Sequence, residues 1–284
     1  MKVYFNGQFV DESEARVSIF DHGLLYGDGI FEGIRAYSRR IFKLEEHMNR
    51  LYQSAKAIDL QIPLPIGEMT KKTVELCKLN NVSDAYLRPL ITRGIGDMGL
   101  DPRKCGKPTT LIIAREMKPL LGEGELTLIT SFWRRNSPDA LNPNIKSLNY
   151  LNNILAKIEA SRHGADDCVF LDREGYVSEG SAENIFAVKD TALITPPTLT
   201  NLRGITRATA IEMAAEKGYI VREENLSLFD LYNADEVFLC GTAAEIAPVT
   251  KIDGRTVGEG KMGDITHEIR VAYIKRVNSE GVPF

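Results

Sequence analysis

The chain has 284 residues, 43% of them apolar and 26% charged, an ordinary composition for a globular protein of about two domains. Its 35 lysines and arginines against 39 aspartates and glutamates give a net charge of −4, which argues against a nucleic-acid partner. The four cysteines lie far apart and form no C-x-x-C pair, so we expect no metal site. No signal-peptide or membrane-spanning apolar run stands out, which favours a cytoplasmic protein.

The first half of the sequence predicts a hairpin, two helices and further strands. Asn6-Gly7 suits the two-residue turn of a hairpin between residues 3–5 and 8–10. A glycine-rich stretch at 21–29 follows. Apolar residues at helical spacing then predict an amphipathic helix near 44–58. The other predicted elements of this half are a strand over 30–37, a helix near 66–78, and strands near 85–93 and 108–115.

The second half begins after a glycine-containing linker at 118–124. Its predicted elements are strands near 126–133, 167–172, 184–189 and 237–240, and helices near 149–162, 205–217 and 262–277. In the helix near 149–162 we expect Leu148, Leu151, Leu155 and Ile158 to pack inward. Because strands and helices mix without a strict βαβ rhythm, the sequence predicts an α/β fold of the α+β type. The predicted domains are a small N-terminal one at 1–117 and a larger C-terminal one at 125–284.

Two turns place a glycine beside a hydroxyl residue, a pattern that can bind phosphate. Gly204-Ile205-Thr206 stands at the start of a predicted helix, where free N–H groups and the helix dipole favour an anion. Gly241-Thr242 follows a buried strand, and small residues there allow a ligand to approach the backbone closely. Taken alone, the first pattern is also that of an ordinary capped helix and the second that of a simple strand-to-loop turn.

Two charged residues complete a possible cofactor site. Lys146 stands just ahead of a predicted helix, where the helix dipole disfavours an ammonium charge and favours a nucleophilic amine. Glu179, before Gly180-Ser181, lies between two predicted strands and could hold a pyridinium nitrogen. Each has a simpler interpretation: Lys146 as a solvated lysine, and Glu179 as part of a polar hairpin loop. Together with the two turns, however, they are the parts that a pyridoxal 5′-phosphate (PLP) site requires.

Nearly the whole chain resembles the branched-chain amino-acid aminotransferases, members of the fold-type IV group of PLP enzymes. The order and spacing of the matching segments are specific for this group. The segments are Tyr26 to Arg35, His47 to Leu51, Tyr86 to Pro89, Lys146 to Tyr150, Ser178 to Asn184, Gly204 to Arg207 and Gly241 to Glu245.

The resemblance implies two α/β domains with PLP in the cleft between them, and usually a homodimer that completes each site. Lys146 resembles the Schiff-base lysine that shuttles the proton, Glu179 the partner of the pyridine nitrogen, and Tyr150 the partner of the phenolic oxygen. The residues that resemble phosphate ligands are Arg50, Ile205, Thr206 and Thr242.

The resemblance also implies a pocket that accepts an apolar side chain and, in turn, the γ-carboxylate of glutamate. Tyr26, Phe31 and Tyr86 resemble its walls. Arg88, with Arg35 farther off, is the candidate for the γ-carboxylate, and the Thr242-Ala243 turn resembles the site of the α-carboxylate. Phe31 and Tyr86 could instead be core residues, and Arg35 a surface ion-pair partner. The implied reaction is transamination of L-leucine, L-isoleucine and L-valine with 2-oxoglutarate.

Three related activities remain alternatives. The segment Lys146 to Asn149 also resembles the D-amino-acid aminotransferases, but residues 94–102 lack the Arg-x-His carboxylate trap of that branch, and Tyr150 stands where that branch commonly has an apolar residue. An (R)-amine transaminase shares the fold. The aminodeoxychorismate lyases have the same lysine and glutamate and a different outcome. The L-branched-chain assignment fits the sequence best.

Overall fold

A computed structural model describes residues 1–117 and 124–284. Its strands, in chain order, are β1 (Lys2–Phe5), β2 (Gln8–Asp11), β3 (Gly29–Phe31), β4 (Ile34–Tyr37), β5 (Arg40–Ile41), β6 (Ala85–Thr92), β7 (Thr109–Glu116), β8 (Leu126–Arg134), β9 (Asp167–Leu171), β10 (Asn184–Lys189), β11 (Ala192–Thr195), β12 (Val221–Glu223), β13 (Glu236–Gly241), β14 (Glu245–Ile252), β15 (Arg255–Thr256) and β16 (Val282–Pro283). Its α-helices are α1 (His22–Tyr26), α2 (Leu44–Ala57), α3 (Ile66–Leu79), α4 (Pro138–Leu141), α5 (Leu151–Arg162), α6 (Ile205–Glu216), α7 (Leu228–Tyr232) and α8 (Asp264–Ser279).

The chain divides into two compact units. The first takes in Met1–Lys118, Ile145–Asn149 and Val277–Phe284, and the second Pro119–Asn144 and Tyr150–Arg276. The sequence placed Lys146 in the predicted C-terminal domain at 125–284. In the structure, the segment Ile145–Asn149 belongs to the first unit. Apart from Gly124, the expected linker at 118–124 lies outside the described residues, so the boundary there stays a prediction.

The sheet of the first unit is antiparallel, in the order β16-β5-β4-β6-β7-β1-β2, with β3 also paired to β6. Its outer hairpin is the predicted one, because Asn6 and Gly7 have positive φ angles and close the turn between β1 and β2. The strand expected over 30–37 is instead interrupted at Glu32 and Gly33, so β3 and β4 pair with β6 at different points.

Alternation along these strands gives the first sheet two different faces. Apolar side chains such as Ile30, Ile34 and Leu87 point to one face and pack against α2 and α3 in the core of this unit. The predicted helical stripe of α2 forms part of this core: Leu44, Met48, Leu51 and Ala55 are buried, and Ile58 packs against the cluster. The other face carries Phe31, Arg35, Tyr86 and Arg88, so it is the face on which several candidate site residues meet.

The glycine-rich stretch at 21–29 contains the short helix α1. Its N-cap residue Asp21 is fully buried and accepts hydrogen bonds from the Gly23 amide at 2.8 Å and from the hydroxyls of Thr92 and Thr109 at 2.9 and 2.7 Å. Gly27 ends the helix with a left-handed φ of 69°, a conformation that favours glycine. These contacts fix the backbone that leads into β3.

The sheet of the second unit is mixed, in the order β12-β11-β10-β13-β14-β8-β9, with β15 paired to β14. Its parallel pairs are β11 with β12, β14 with β8, and β8 with β9. Phe186 and Phe238 lie opposite each other on β10 and β13, with their rings stacked 4.8 Å apart between centroids. This sheet carries Glu179 and Thr242 on the turns next to its strands.

The inward face expected for the helix near 149–162 is wrong. Leu151 is 66% exposed and Ile158 is 42% exposed, while the buried residues of α5 are Asn153, Ala156 and Ala160. The two alanines pack on Cys168 and Phe170 of β9, and only small side chains allow so close an approach. Leu151 and Ile158 therefore lie on the exposed side of the helix, while Leu155 is half-buried.

The other predicted helices and strands are confirmed within about three residues at each end. The sequence did not predict several shorter elements, nor β14, whose Pro248 lies opposite Phe238 of β13. Pairing of β14 with β8 starts one residue later, at Val249, so the missing proline N–H is not needed there. Among the described residues, none of the helices is both long and apolar enough to cross a membrane.

Candidate active site

The segment that carries Lys146 extends the first unit's sheet beside β3. The Phe31 amide donates to the Lys146 carbonyl at 3.0 Å, and the Leu148 amide donates to the Gly29 carbonyl at 2.9 Å. The Lys146 amide in turn donates to Ser54 Oγ of α2 at 3.2 Å. The backbone on both sides of the lysine is thereby fixed, so the point from which its side chain extends is held in place.

Lys146, Phe31, Arg88 and Tyr86 form one cluster on this unit. Lys146 Nζ lies 4.9 Å from the centroid of the Phe31 ring, and the Arg88 guanidinium carbon lies 4.5 Å from it. Arg88 Nη2 donates to the Tyr86 hydroxyl at 2.7 Å. That hydroxyl lies over Gly33, where a Cβ atom would be only 2.1 Å away, so the glycine is required for this arrangement. An amine, a guanidinium and two aromatic rings thus converge.

Arg35 lies on the same face as this cluster, directly opposite Tyr86 in the pairing of β4 with β6. It is 3% exposed, and its Nε and Nη1 atoms have no hydrogen-bond partner among the described residues. Its guanidinium carbon lies 4.8 Å from the centroid of the Tyr37 ring. A buried guanidinium with unused donors is suited to binding a carboxylate. The alternative of a surface ion pair is therefore wrong for Arg35.

Arg50 is part of a buried ion pair that the sequence did not reveal. Its Nε and Nη2 atoms donate to the two oxygens of Glu32 at 2.6 and 2.8 Å. His47, one turn earlier on α2, contacts Glu32 Oε2 through Nδ1 at 2.8 Å. Glu32 itself has no exposed surface and points to the helix-facing side of the sheet. One carboxylate therefore fixes the orientation of both α2 side chains.

Burial and charge act in opposite directions on this group. Burial raises the pKa of the Glu32 carboxyl, but the Arg50 cation and the contact with His47 outweigh it and hold that pKa well below its usual range. For His47, burial outweighs the effect of Glu32 and lowers the pKa, with smaller contributions in the same direction from Arg50 and Lys146. A neutral His47 then donates its Nδ1–H to Glu32. Arg50 is the cation of the group.

In the second unit Glu179 is a buried carboxylate with fixed partners. Its Oε1 accepts from Arg135 Nε at 2.6 Å, and its Oε2 accepts from the Leu202 amide at 3.1 Å. Its backbone is tied to β9, because the Phe170 amide donates to the Glu179 carbonyl at 2.8 Å. Arg135 is itself almost fully buried. The sequence predicted Glu179, but not Arg135.

The predicted phosphate turn begins helix α6. Gly204 is the N-cap residue and no side chain caps the helix there, while Ile205 and Thr206 occupy its first turn. A Cβ atom on Gly204 would be 1.9 Å from Asn184 Oδ1, so only glycine fits. The Asn184 side chain donates to the Leu202 carbonyl at 2.9 Å and holds this approach in place. An uncapped helix start with a buried threonine is suited to an anion.

The remaining candidates are partly exposed or lie on turns. Thr242 and Ala243 form the half-buried turn between β13 and β14, and Tyr150 is the half-buried N-cap residue of α5. Tyr26 ends α1 and donates its hydroxyl to the Met98 carbonyl at 2.6 Å. The structure thus brings Lys146, Phe31, Tyr86 and Arg88 together, with Arg35 beside them. It gives Tyr26 a separate contact, on the 94–100 loop.

Comparison with known proteins assigns the family. A family model described as "Amino-transferase class IV" matches residues 29–252. This chain belongs to that family. A protein of Methanocaldococcus jannaschii, named provisionally as a branched-chain-amino-acid aminotransferase, is 55% identical over 274 residues, which is 96% of this chain and 95% of its own.

Solved aminotransferase structures agree with this assignment. The branched-chain amino acid aminotransferase of Escherichia coli superposes with a TM-score of 0.95 at 40% identity, covering 99% of this chain and 95% of that one. The branched-chain amino acid aminotransferase of Thermobaculum terrenum, solved in its PLP form, gives a TM-score of 0.90 at 34% identity, covering 98% and 94%. The predicted family, fold class and transaminase class are therefore confirmed.

The sequence analysis did not identify three ionisable residues that hold the candidate site of this class IV aminotransferase: Glu32, His47 and Arg135. The first two lie inside matching segments, Phe31-Glu32-Gly33 and His47 to Leu51. For Glu32 the available signal was a charged residue at a core-facing position between two strands. Glu32 follows Ile30 in alternation and precedes Ile34, and a charge in such a series requires a buried partner. Arg135 gave no such signal, because it follows the end of β8 in a polar stretch.

Proposed function

We propose that this protein is a PLP-dependent transaminase that moves the amino group of L-leucine, L-isoleucine or L-valine to 2-oxoglutarate. The observation that supports it most directly is the cluster of Lys146, Phe31 and Arg88, which places a primary amine and a guanidinium on the same aromatic ring. Such a set offers an apolar surface for a branched side chain and a cation for a second carboxylate. Both are needed, because the donor is apolar and the acceptor is a dicarboxylate.

The predicted cofactor, PLP, is confirmed by the family and by its solved relatives, one of which is a branched-chain amino acid aminotransferase with pyridoxamine 5′-phosphate. The residues of this chain fit such a group. The start of α6 offers an uncapped helix end that Gly204 keeps open, and Glu179 is a buried carboxylate. We assign the phosphate to Arg50, Ile205, Thr206 and Thr242, the ring nitrogen to Glu179, and the phenolic oxygen to Tyr150.

PLP, when bound, supplies an electron sink for the electron pair left at the substrate α-carbon when its proton is removed. Lys146 Nζ is the group that takes up this proton and later returns it. Hydrogen bonds on both sides of Lys146 hold its backbone, so the side chain can move while its Cα atom stays in place. Glu179, fixed by Arg135 and the Leu202 amide, presents negative charge that does not reorient during the reaction.

The substrate side chain is assigned to the face that carries Phe31 and Tyr86. Arg88 is already oriented by the Tyr86 hydroxyl, and its Nε lacks a hydrogen-bond partner among the described residues. Arg35 adds two more unused donors beside it. We assign the γ-carboxylate of glutamate or 2-oxoglutarate to these two arginines, and the α-carboxylate to the Thr242-Ala243 turn.

A screen of amino donors with 2-oxoglutarate tests the proposal, with D-alanine and (R)-amines among the donors and pyruvate release from aminodeoxychorismate as a separate assay. We expect the purified protein to bind PLP and to use L-leucine, L-isoleucine and L-valine. Lys146→Ala should abolish turnover, while the exposed-lysine control Lys251→Ala should not. A preference for D-alanine or (R)-amines, release of pyruvate, or failure to bind added PLP would each overturn the assignment.

We also propose that the protein is a homodimer, with the 94–100 loop in the interface. Met98 and Leu100 on this loop are 73% and 77% exposed, and Leu24 and Ile95 beside them are also exposed. So large an apolar patch is typical of an interface. In light scattering, Met98→Asp with Leu100→Asp should give monomers, whereas Leu199→Asp, at an exposed leucine of the second unit, should not. The same molar mass for both variants would contradict the proposal.

A further inference from the structure

A histidine and a cysteine that the proposed mechanism does not use lie in contact in the first unit. His22, the first residue of α1, is 1% exposed, and Cys105 follows the short 3₁₀ helix Pro102–Lys104 beyond the 94–100 loop. His22 Nδ1 lies 3.2 Å from Cys105 Sγ, and His22 Nε2 lies 2.8 Å from the Asp97 carbonyl oxygen. Both nitrogens of a buried imidazole are therefore engaged by groups from the same stretch of chain.

The two contacts determine where the hydrogens lie. A carbonyl oxygen only accepts, so His22 Nε2 carries the ring hydrogen and donates it to Asp97. Nδ1 of the same ring is then the acceptor, and the Cys105 thiol donates to it. Burial, followed by the charge of Asp28, raises the pKa of the Cys105 thiol, and the opposing charge of Arg93 does not offset them. The pair is thus a thiol donor and an imidazole acceptor.

The backbone of the loop lies directly against this pair. A Cβ atom on Gly96 would be 2.6 Å from His22 Nε2 and 2.7 Å from Cys105 Sγ, so the glycine is required for this approach. The His22 amide donates to the Gly94 carbonyl at 2.9 Å. The base of the loop is thus bound by the backbone of His22, and the imidazole extends this connection to the tip of the loop, residues 97–100.

His22 also supports Tyr26, one turn later on α1. The two rings meet edge to face, with their centroids 5.0 Å apart. The Tyr26 hydroxyl donates to the Met98 carbonyl at 2.6 Å, next to the carbonyl of Asp97 that His22 binds. Two adjacent carbonyls at the tip are therefore held by two side chains of one helix, and these side chains pack on each other. Tyr26 is a candidate wall of the substrate pocket, so the arrangement connects that wall to the tip.

We propose that His22, with the Cys105 thiol as its hydrogen-bond donor, is a positioning residue that fixes Tyr26 and the tip of the 94–100 loop. The inference rests on the proposed function, because it matters for catalysis only if Tyr26 lines the substrate pocket and for assembly only if the tip lies in the homodimer interface. His22 is assigned no contact with the reacting atoms. Its contribution is to hold in one conformation a surface whose apolar side chains are exposed.

Substitution of His22 separates this role from the filling of space. His22→Leu has a similar volume but removes both hydrogen bonds, whereas His22→Gln keeps an N–H group for the Asp97 carbonyl. Trypsin cleavage at Arg103 and Lys104 requires the loop to open, and its rate follows the population of the open form. That rate should rise about tenfold in His22→Leu, the equivalent of one neutral hydrogen bond, and stay within about threefold in His22→Gln. The control His267→Leu, at an exposed histidine, should match the wild type.

The Cys105 thiol gives a second readout that does not depend on turnover. The other three cysteines are buried, so labelling of the native protein with iodoacetamide reports on Cys105. As a donor to His22, this thiol should react with an apparent pKa above its ordinary value of about 8.5. A second pair of variants decides the matter if His22→Leu does not fold. Cys105→Ser keeps an O–H donor and should resemble the wild type in trypsin cleavage, while Cys105→Ala should be cleaved at least about threefold faster.

The kinetics of the holoenzyme provide a readout that a loss of stability alone does not produce. In His22→Leu a displaced Tyr26 should raise KM for L-leucine about three- to tenfold, while kcat stays within about twofold because Lys146 is untouched. His22→Gln should restore most of the wild-type KM. An unchanged KM in His22→Leu overturns the positioning of Tyr26.

The other outcomes lead to different conclusions. If His22→Leu is cleaved as slowly as the wild type, if His22→Gln is cleaved as fast as His22→Leu, or if Cys105 titrates with an apparent pKa below about 8, the inference is overturned. The tenfold ratio should persist in the variant with Met98→Asp and Leu100→Asp, which lacks the proposed interface. A wild-type protein that binds no PLP or is a monomer contradicts the proposed function instead, and cleavage and labelling still test the pair.

Discussion

Removal of the negative charge of Glu32 tests the electrostatic arrangement beneath the candidate site. Glu32→Gln keeps the shape of the side chain but leaves the buried Arg50 guanidinium without its carboxylate, which accepts two hydrogen bonds from it at 2.6 and 2.8 Å. Breaking a buried ion pair by removing one partner costs about 3–5 kcal/mol. His47 also loses its carboxylate acceptor. Because two contacts of Glu32 are affected, we expect the loss in free energy of unfolding to be at least about 3 kcal/mol.

Calorimetry of the apoprotein measures this loss. An unfolding entropy of about 2.1 cal/mol/K per residue gives about 0.6 kcal/mol/K for the chain, so the expected decrease in Tm is about 5–8 °C. Glu45, an exposed carboxylate in the first turn of α2, provides the control. Glu45→Gln should cost no more than about 1 kcal/mol, the usual contribution of a charge at a helix start.

The pH dependence provides an independent check, and its sign follows from the lowered pKa of Glu32. A carboxyl whose folded-state pKa is depressed stabilises the protein above its unfolded pKa, about 4.3, and this stabilisation is lost as pH falls below it. The stability difference between wild type and Glu32→Gln should therefore shrink by about 1.4 kcal/mol per pH unit below pH 4. A difference under about 1 kcal/mol at pH 7, or one that does not change with acid, would refute the reasoning.

Two further predictions concern the substrate cluster and helix α5. Arg88→Met should lower kcat/KM for L-glutamate by about 10–150-fold, which corresponds to the loss of a charged hydrogen bond of about 1.5–3 kcal/mol, and should change kcat/KM for L-leucine much less. Steady-state kinetics measure both values, with Arg103→Met as the control. Equal losses for the two donors would contradict the prediction. Ala156→Leu should destabilise the protein by about 1–3 kcal/mol in urea denaturation, because Ala156 is fully buried against β9. Ile158→Ser, at an exposed position of the same helix, should change the free energy of unfolding by no more than about 0.5 kcal/mol. The reverse order would instead support the inward-facing leucines and isoleucine expected from the sequence.

Local signals account for the parts of the fold that were predicted from sequence. The hairpin follows from Asn6-Gly7 and helix α2 from its apolar spacing, since both depend on residues within one turn of each other. Helix α5 shows the limit of such reasoning. The spacing of its leucines is helical, but the side of the helix that packs inward depends on how closely β9 approaches. The approach is close, so the side with Ala156 and Ala160 packs against the strand.

Motifs revealed the chemical identity of the candidate site, but not the partners that fix it. Lys146, Glu179 and Arg88 were all identified by residue type and order. The carboxylate that holds Arg50 is 18 residues away on another element, and the guanidinium that holds Glu179 is 44 residues away. Spacing in the sequence cannot show such pairs, because they arise only when strands and helices pack.

The first unit is assembled from three separate stretches of the chain, and this affects how the protein folds. Strand β3 pairs with the segment around Ser147, and β5 pairs with β16, whose contact joins Arg40 to Gly281 across 241 positions. At about 5–20 residues per second of synthesis, β5 waits for its partner for at least about ten seconds after it has left the ribosome. The unit that begins first is therefore completed last. During translation its unpaired strand edge is open to wrong partners, and we expect this stage to depend most on chaperones.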